Sequence, residues 1–87
     1  MDVRKIVGRN VRRLRVERAL SQEDLAVDAG IDRTHVSRIE RGIENPTVLV
    51  LSRVAKALEA DIAELFRKPK PGEPAPALLP KGRKRSE

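Results

Sequence analysis

Cysteine, tryptophan and tyrosine are absent from the 87 residues, and the one aromatic side chain is Phe66. Without cysteine the chain has no disulfide framework, no thiolate zinc site and no cysteine nucleophile, which points to a reducing compartment, the cytoplasm. Without more aromatics a core has to be built from Leu, Ile, Val and Ala. That palette suits packed helices better than a sheet, since strands draw on aromatic and β-branched residues. No apolar run approaches the roughly 18 residues that cross a bilayer. The N-terminus carries charges where a signal peptide would place its apolar region. The expectation is a chain neither secreted nor embedded in a membrane. Its length allows one core, because domains this small bury only about 60 % of the surface their unfolded state exposes.

Positive charge is in excess. The net charge of +6 draws a small protein toward polyanions such as nucleic acid. Residues 1–67 hold 13 Lys and Arg against 11 Asp and Glu, whereas residues 68–87 hold 6 against 2. The C-terminal stretch KPKPGEPAPALLPKGRKRSE also holds five of the six prolines. A segment so poor in apolar periodicity cannot offset its ordering entropy, so a flexible tail of polyproline II character is expected. The predicted organisation is a domain over residues 1–67 and a basic, Pro-rich tail over residues 68–87.

Within the domain, apolar spacing and capping residues predict five helices and no strand. The first covers about Val3 to Glu17, with Val3, Val7, Val11 and Leu14 on one face. Ser21 followed by Gln22, Glu23 and Asp24 opens a second helix that stops at Gly30. Asp32 caps a third from Arg33 to Glu40, ended by Gly42. Thr47 starts a fourth through about Leu58, whose core stripe is Val48, Leu51, Val54, Ala55 and Leu58. Asp61 with Glu64 forms a capping box for a short fifth helix ending at Phe66. The fold class is therefore all-α.

The stretch QEDLAVDAGIDRTHVSRIER carries the function. Leu25, Ala29, Ile31, Val36 and Ile39 are spaced so that two short helices press apolar faces on one core. Ala26 is small where the second helix must cross, and Gly30 stands where the chain leaves the first, a position that commonly needs positive φ. Over about Val7 to Phe66 the chain resembles the phage repressor and Cro family of helix-turn-helix regulators. The resemblance rests on the Gln that opens the first motif helix, Ala26 and Gly30, the Ile-Glu-Arg-Gly exit, Asn45-Pro46 and the final Glu-Leu-Phe. Ala19 departs from it, since relatives often place glycine before the following Leu-Ser.

The resemblance implies a compact five-helix DNA-binding domain whose recognition helix, Arg33 to Arg41, lies in the major groove. The outward residues of that helix fit the role. Arg33, Thr34, Ser37 and Arg38 are polar, arginine can grip O6 and N7 of guanine with two donors, and the threonine methyl can meet thymine. These four are the expected base contacts. Gln22, His35, Arg41, Asn45 and Thr47 are the expected backbone contacts, which fix register without reading sequence. The resemblance also assigns Arg15 and Glu40 a structural ion pair joining the first helix to the recognition helix.

Other readings compete at several positions. His35, the only histidine, has no second His or Cys at ligand spacing, so no metal site is expected. No nucleophile stands beside a base and no Gly-rich phosphate loop occurs, so the chain is not read as an enzyme and no cofactor is expected. Leu49 and Val50 either widen the core or, with Ile62, Leu65 and Phe66, form a two-fold interface between copies. The run Lys81-Gly82-Arg83-Lys84-Arg85 either adds phosphate attraction or merely solubilises, and Leu78 and Leu79 could anchor a protein partner. The predicted function is a sequence-specific regulator of transcription, acting as a homodimer on a palindromic operator in double-stranded DNA and more often repressor than activator, in the cytoplasm at the nucleoid. The alternative is an antitoxin-like protein that autoregulates its operon and binds a partner through its tail.

Overall fold

A computed structural model describes residues 2–74. Four α-helices and one 3-10 turn follow in order: α1 (Val3–Glu17), α2 (Gln22–Ala29), α3 (Arg33–Glu40), α4 (Val48–Ala57) and the turn Ile62–Phe66. Among the described residues there is no strand.

Three helices begin with a side-chain cap. The Asp2 carboxylate accepts from the Arg4 amide, and the Thr47 hydroxyl accepts from Val50. At α2 the Ser21 hydroxyl accepts from the Asp24 amide at 2.9 Å while the Asp24 carboxylate accepts from the Ser21 amide at 3.1 Å, a reciprocal capping box. Asp32 occupies the same position at α3 but makes no such hydrogen bond.

All four helices end alike. The amide just after a residue of positive φ reaches back to a carbonyl five residues earlier: Leu20 to Arg15, Ile31 to Ala26, Ile43 to Arg38 and Ala60 to Ala55. This Schellman closure puts one residue in the left-handed region. Gly30 and Gly42 take it without strain at φ 71° and 73°, whereas Ala19 and Glu59 hold φ 57° and 53° with a Cβ. Each of those two costs about 1 kcal/mol, which the packing around them has to offset. At Ala19 it does so with Arg15, whose Nη1 donates to the Leu20 carbonyl just beyond.

The core is aliphatic. Val7 and Val11 of α1, Leu25, Ala26 and Ala29 of α2, Val36 and Ile39 of α3, and Leu51, Val54 and Ala55 of α4 meet there with Leu20, Leu58 and Leu65. Full burial of each large side chain contributes about 1.5 to 3 kcal/mol. In the packing, α3 lies against α1 and α2, α4 against α2, and the 3-10 turn against α1 and α4. Asn10 is buried in α1 and its amide donates to the Leu65 and Arg67 carbonyls at 3.0 and 2.8 Å, fastening the end of the domain to its start.

Several expectations change. The fifth helix is a 3-10 turn, and Asp61 caps it by accepting from Ala63, two residues on. With about three residues per turn, Ile62 and Leu65 turn inward together. Leu65 is therefore fully buried, beneath the surface rather than on an interface. Val48 is not in the core stripe, which begins one turn later at Leu51; Val48 and Val3 are both exposed. Past Arg67, Glu73 accepts from Arg9 at 3.2 Å and from Arg67 at 3.3 Å, so part of the expected tail is fastened to α1. The Arg9 contact holds its carboxyl below the usual range. Leu78, Leu79 and the basic run 81–85 lie outside the described residues.

Candidate nucleic-acid interface

The surface around α3 is organised from beneath by one carboxylate. Glu40, the last residue of α3, is buried with its side chain shut off from solvent. Its Oε2 accepts from Arg15 Nε at 2.6 Å, and its Oε1 accepts from Arg15 Nη2 at 3.0 Å, a two-pronged pair across α1 and α3. Oε1 also accepts from Gln22 Nε2 at 3.2 Å and Arg12 Nε at 3.3 Å. The two arginines compensate the buried charge, and four donor contacts satisfy its lone pairs. One group thus ties α3 to both α1 and the start of α2. Arg12 was not singled out from the sequence, although its i, i+3 spacing to Arg15 places it on the same helix face.

The outer side of α3 is lined by polar side chains. Arg33 and Thr34 are exposed, Ser37 is half-buried and Arg38 is exposed. The first three have no side-chain hydrogen bond among the described residues, while Arg38 Nε donates to Glu44 Oε1 at 2.8 Å. At the edge of this surface Arg41, Asn45 and Thr47 are also exposed. The Thr47 hydroxyl accepts one hydrogen bond at the α4 cap and keeps its hydrogen available to donate. Gln22 is half-buried, and bracing by Glu40 leaves its amide oxygen and one N–H unassigned. His35 is half-buried, and its Nε2 is shielded from solvent with no hydrogen-bond partner. In this conformation that nitrogen does not face the outer surface.

Among the residues read as an interface between copies, Leu49 and Phe66 are 62 % and 44 % exposed. Val50 and Ile62 are half-buried against the core, and Leu65 lies within it. Phe66 shares a shallow groove with Val3, Val7, Pro46 and Leu51. The large apolar side chains left exposed on α1, α4 and the 3-10 turn are thus Val3, Val48, Leu49 and Phe66, a set different from the one expected. Among the described residues no group of three or more His, Cys, Asp or Glu side chains is gathered for a metal ion, and no helix is long and apolar enough to cross a membrane.

Comparison with known proteins fits this architecture. The helix-turn-helix family model HTH_3 matches residues 11–65. A protein of Sinorhizobium fredii named as the uncharacterized HTH-type transcriptional regulator y4dJ is 45 % identical over 65 residues, covering 75 % of this chain and 84 % of that one. The control protein C.SmaI of Serratia marcescens is 39 % identical over 66 residues, 76 % of this chain and 79 % of its own. The crystal structure of the restriction-modification controller protein C.AhdI from Aeromonas hydrophila superposes with a TM-score of 0.71 at 38 % identity, over 72 % of this chain and 96 % of that chain. With a matched model spanning the core, both motif helices and the buried lock between them, this chain belongs to the helix-turn-helix family of transcription regulators, of the phage repressor and Cro type.

Proposed function

We propose that the protein is a sequence-specific, double-stranded-DNA-binding regulator of transcription that acts as a homodimer on a palindromic operator, more often as a repressor. One observation carries the reading. The helix α3 is fixed from behind by the buried Glu40 and turns Arg33, Thr34, Ser37 and Arg38 outward. In this reading those four meet base edges, and Arg33 and Arg38 take guanine. Gln22, Arg41, Asn45 and Thr47 meet phosphates, and His35 joins them once its ring turns outward. The exposed Leu49 and Phe66, flanked by Val50 and Ile62, form the contact between two copies. Two-fold pairing places two recognition helices about 34 Å apart, one turn of duplex, which brings specificity beyond the reach of a single module. Residues 1–67 form the DNA-binding unit, and the basic residues beyond add phosphate attraction that carries no sequence information. In this reading the protein works on DNA in the cytoplasm, at the nucleoid.

The two classes of contact respond differently to mutation. Replacing Arg33 or Arg38 with alanine is expected to cost about 1 to 3 kcal/mol on the preferred duplex and little on a scrambled one. Replacing Arg41 with alanine should weaken both duplexes alike and reduce the slope of log affinity against log salt by about 1. Fluorescence anisotropy across a salt series measures both quantities. Equal losses for all three variants on both duplexes would remove the case for base reading.

A further inference from the structure

The ion pair between Arg38 and Glu44 crosses the reversal at Gly42 and lies on the outward face of the site. Arg38 Nε donates to Glu44 Oε1 at 2.8 Å, with the side chains 45 % and 30 % exposed. A surface pair of this kind adds little to stability, so its consequence lies in where it holds the guanidinium. With Nε occupied, the edge formed by Nε and one Nη is blocked, and Arg38 presents its two Nη atoms as the free fork. The contact with Arg38 also holds the Glu44 carboxyl below the ordinary range, so it is charged at neutral pH. A fixed negative charge on a surface that approaches phosphates opposes binding to DNA of any sequence. That repulsion falls on every duplex alike, so discrimination comes from the two Nη atoms of Arg38 that the pair leaves free for a base edge.

We infer that Glu44 is a specificity-determining residue, which positions Arg38 for one base position in each half-site while its charge weakens binding to duplexes of any sequence. The inference rests on the DNA-reading role of α3 proposed above. Glu44 lies outside α3, and the stability of the fold does not depend on its exposed pair.

The test uses the full chain in four forms: wild type, Glu44→Gln, Arg38→Ala and the double variant, each on the selected operator, on operators substituted at one position at a time and on a scrambled duplex. For Glu44→Gln, binding to the scrambled duplex should strengthen, and the ratio of operator to scrambled affinity should fall about tenfold, with the lost preference confined to the position that Arg38→Ala also relaxes. In the Arg38→Ala background, Glu44→Gln should still strengthen scrambled binding and should no longer alter that preference. A ratio unchanged by Glu44→Gln, or a loss spread over all positions, overturns the role of Glu44 while leaving base reading by α3 intact. Failure of the wild type to prefer any duplex overturns the underlying reading and this inference with it.

Discussion

Replacing Glu40 with alanine is expected to destabilise the domain by about 3 to 5 kcal/mol, because Arg15 would be left buried with its charge uncompensated. The Arg15 side chain is 5 % exposed and would retain only its Nη1 bond to the Leu20 carbonyl. For a chain of this size each kcal/mol lowers Tm by about 4 to 8 °C, so a fall of more than about 12 °C is expected in thermal unfolding. The size of this effect does not mean that the pair itself stabilises by that amount. Two ions have left water to form it, and a close-packed apolar pair of similar volume does as well or better. The double variant Arg15→Met with Glu40→Leu should therefore recover most of the loss. Arg12 and Gln22 would lose a partner in it, but both are part-exposed and regain water. What the double variant should not recover is DNA affinity, since nothing then braces Gln22 or sets the end of α3. A Glu40→Ala variant that unfolds within a few degrees of the wild type would show that the carboxylate does not lock the helices.

Gly8→Ala is the second large effect, and its sign opposes helix propensity. Alanine within α1 should gain about 0.8 to 1 kcal/mol over glycine. The added Cβ, however, would collide with the Ile39 carbonyl oxygen and stand 2.7 Å from that of Glu40. These are backbone atoms in the last turn of α3 and cannot swing aside, so α1 and α3 must part. Overpacking of this kind costs about 1 to 3 kcal/mol and occasionally more. It also strains the Arg15 and Glu40 contact that spans the same two helices. We expect a net loss of about 2 kcal/mol, read as a lower midpoint in urea unfolding, together with weaker DNA binding. Gly30→Ala serves as the contrast, since no atom lies within 4 Å of the added Cβ and only the positive φ is strained. A Gly8→Ala protein more stable than the wild type would mean that the helices do not approach so closely.

The parts of this fold that follow from neighbouring residues were legible in the sequence. The limits of α1, the caps Ser21 and Thr47, the left-handed exit at Gly30 and the stop at Gly42 follow from local side-chain chemistry and glycine's freedom at positive φ. The outward direction of Arg33, Thr34 and Arg38 follows from helical spacing once the span of α3 is known. Features set by distant partners were not legible. Gly8 resembles any helical glycine until α3 crosses it, and buried Asn10 resembles a surface residue until the Leu65 and Arg67 carbonyls reach it. Glu59 gives no sign of a left-handed conformation, because the requirement comes from the Schellman closure on Ala55. Leu65 parts from Phe66 because the turn repeats every three residues, where an α-helix would bring Ile62, Leu65 and Phe66 onto one face. In the candidate site, Glu44 escaped notice because its partner lies six residues back, across the reversal at Gly42. Glu73 was assigned to a free tail because composition does not reveal that Arg9 and Arg67 stand close enough to share its carboxylate.

Selection of bound sequences from a random duplex pool at about 150 mM salt, with wild type and Arg38→Ala side by side, tests the central claim most directly. The account predicts that the wild type enriches a palindromic motif with half-sites about one helical turn apart and that Arg38→Ala loses preference at one position in each. Enrichment of no motif by the wild type, with binding that merely fades as salt rises, would contradict it.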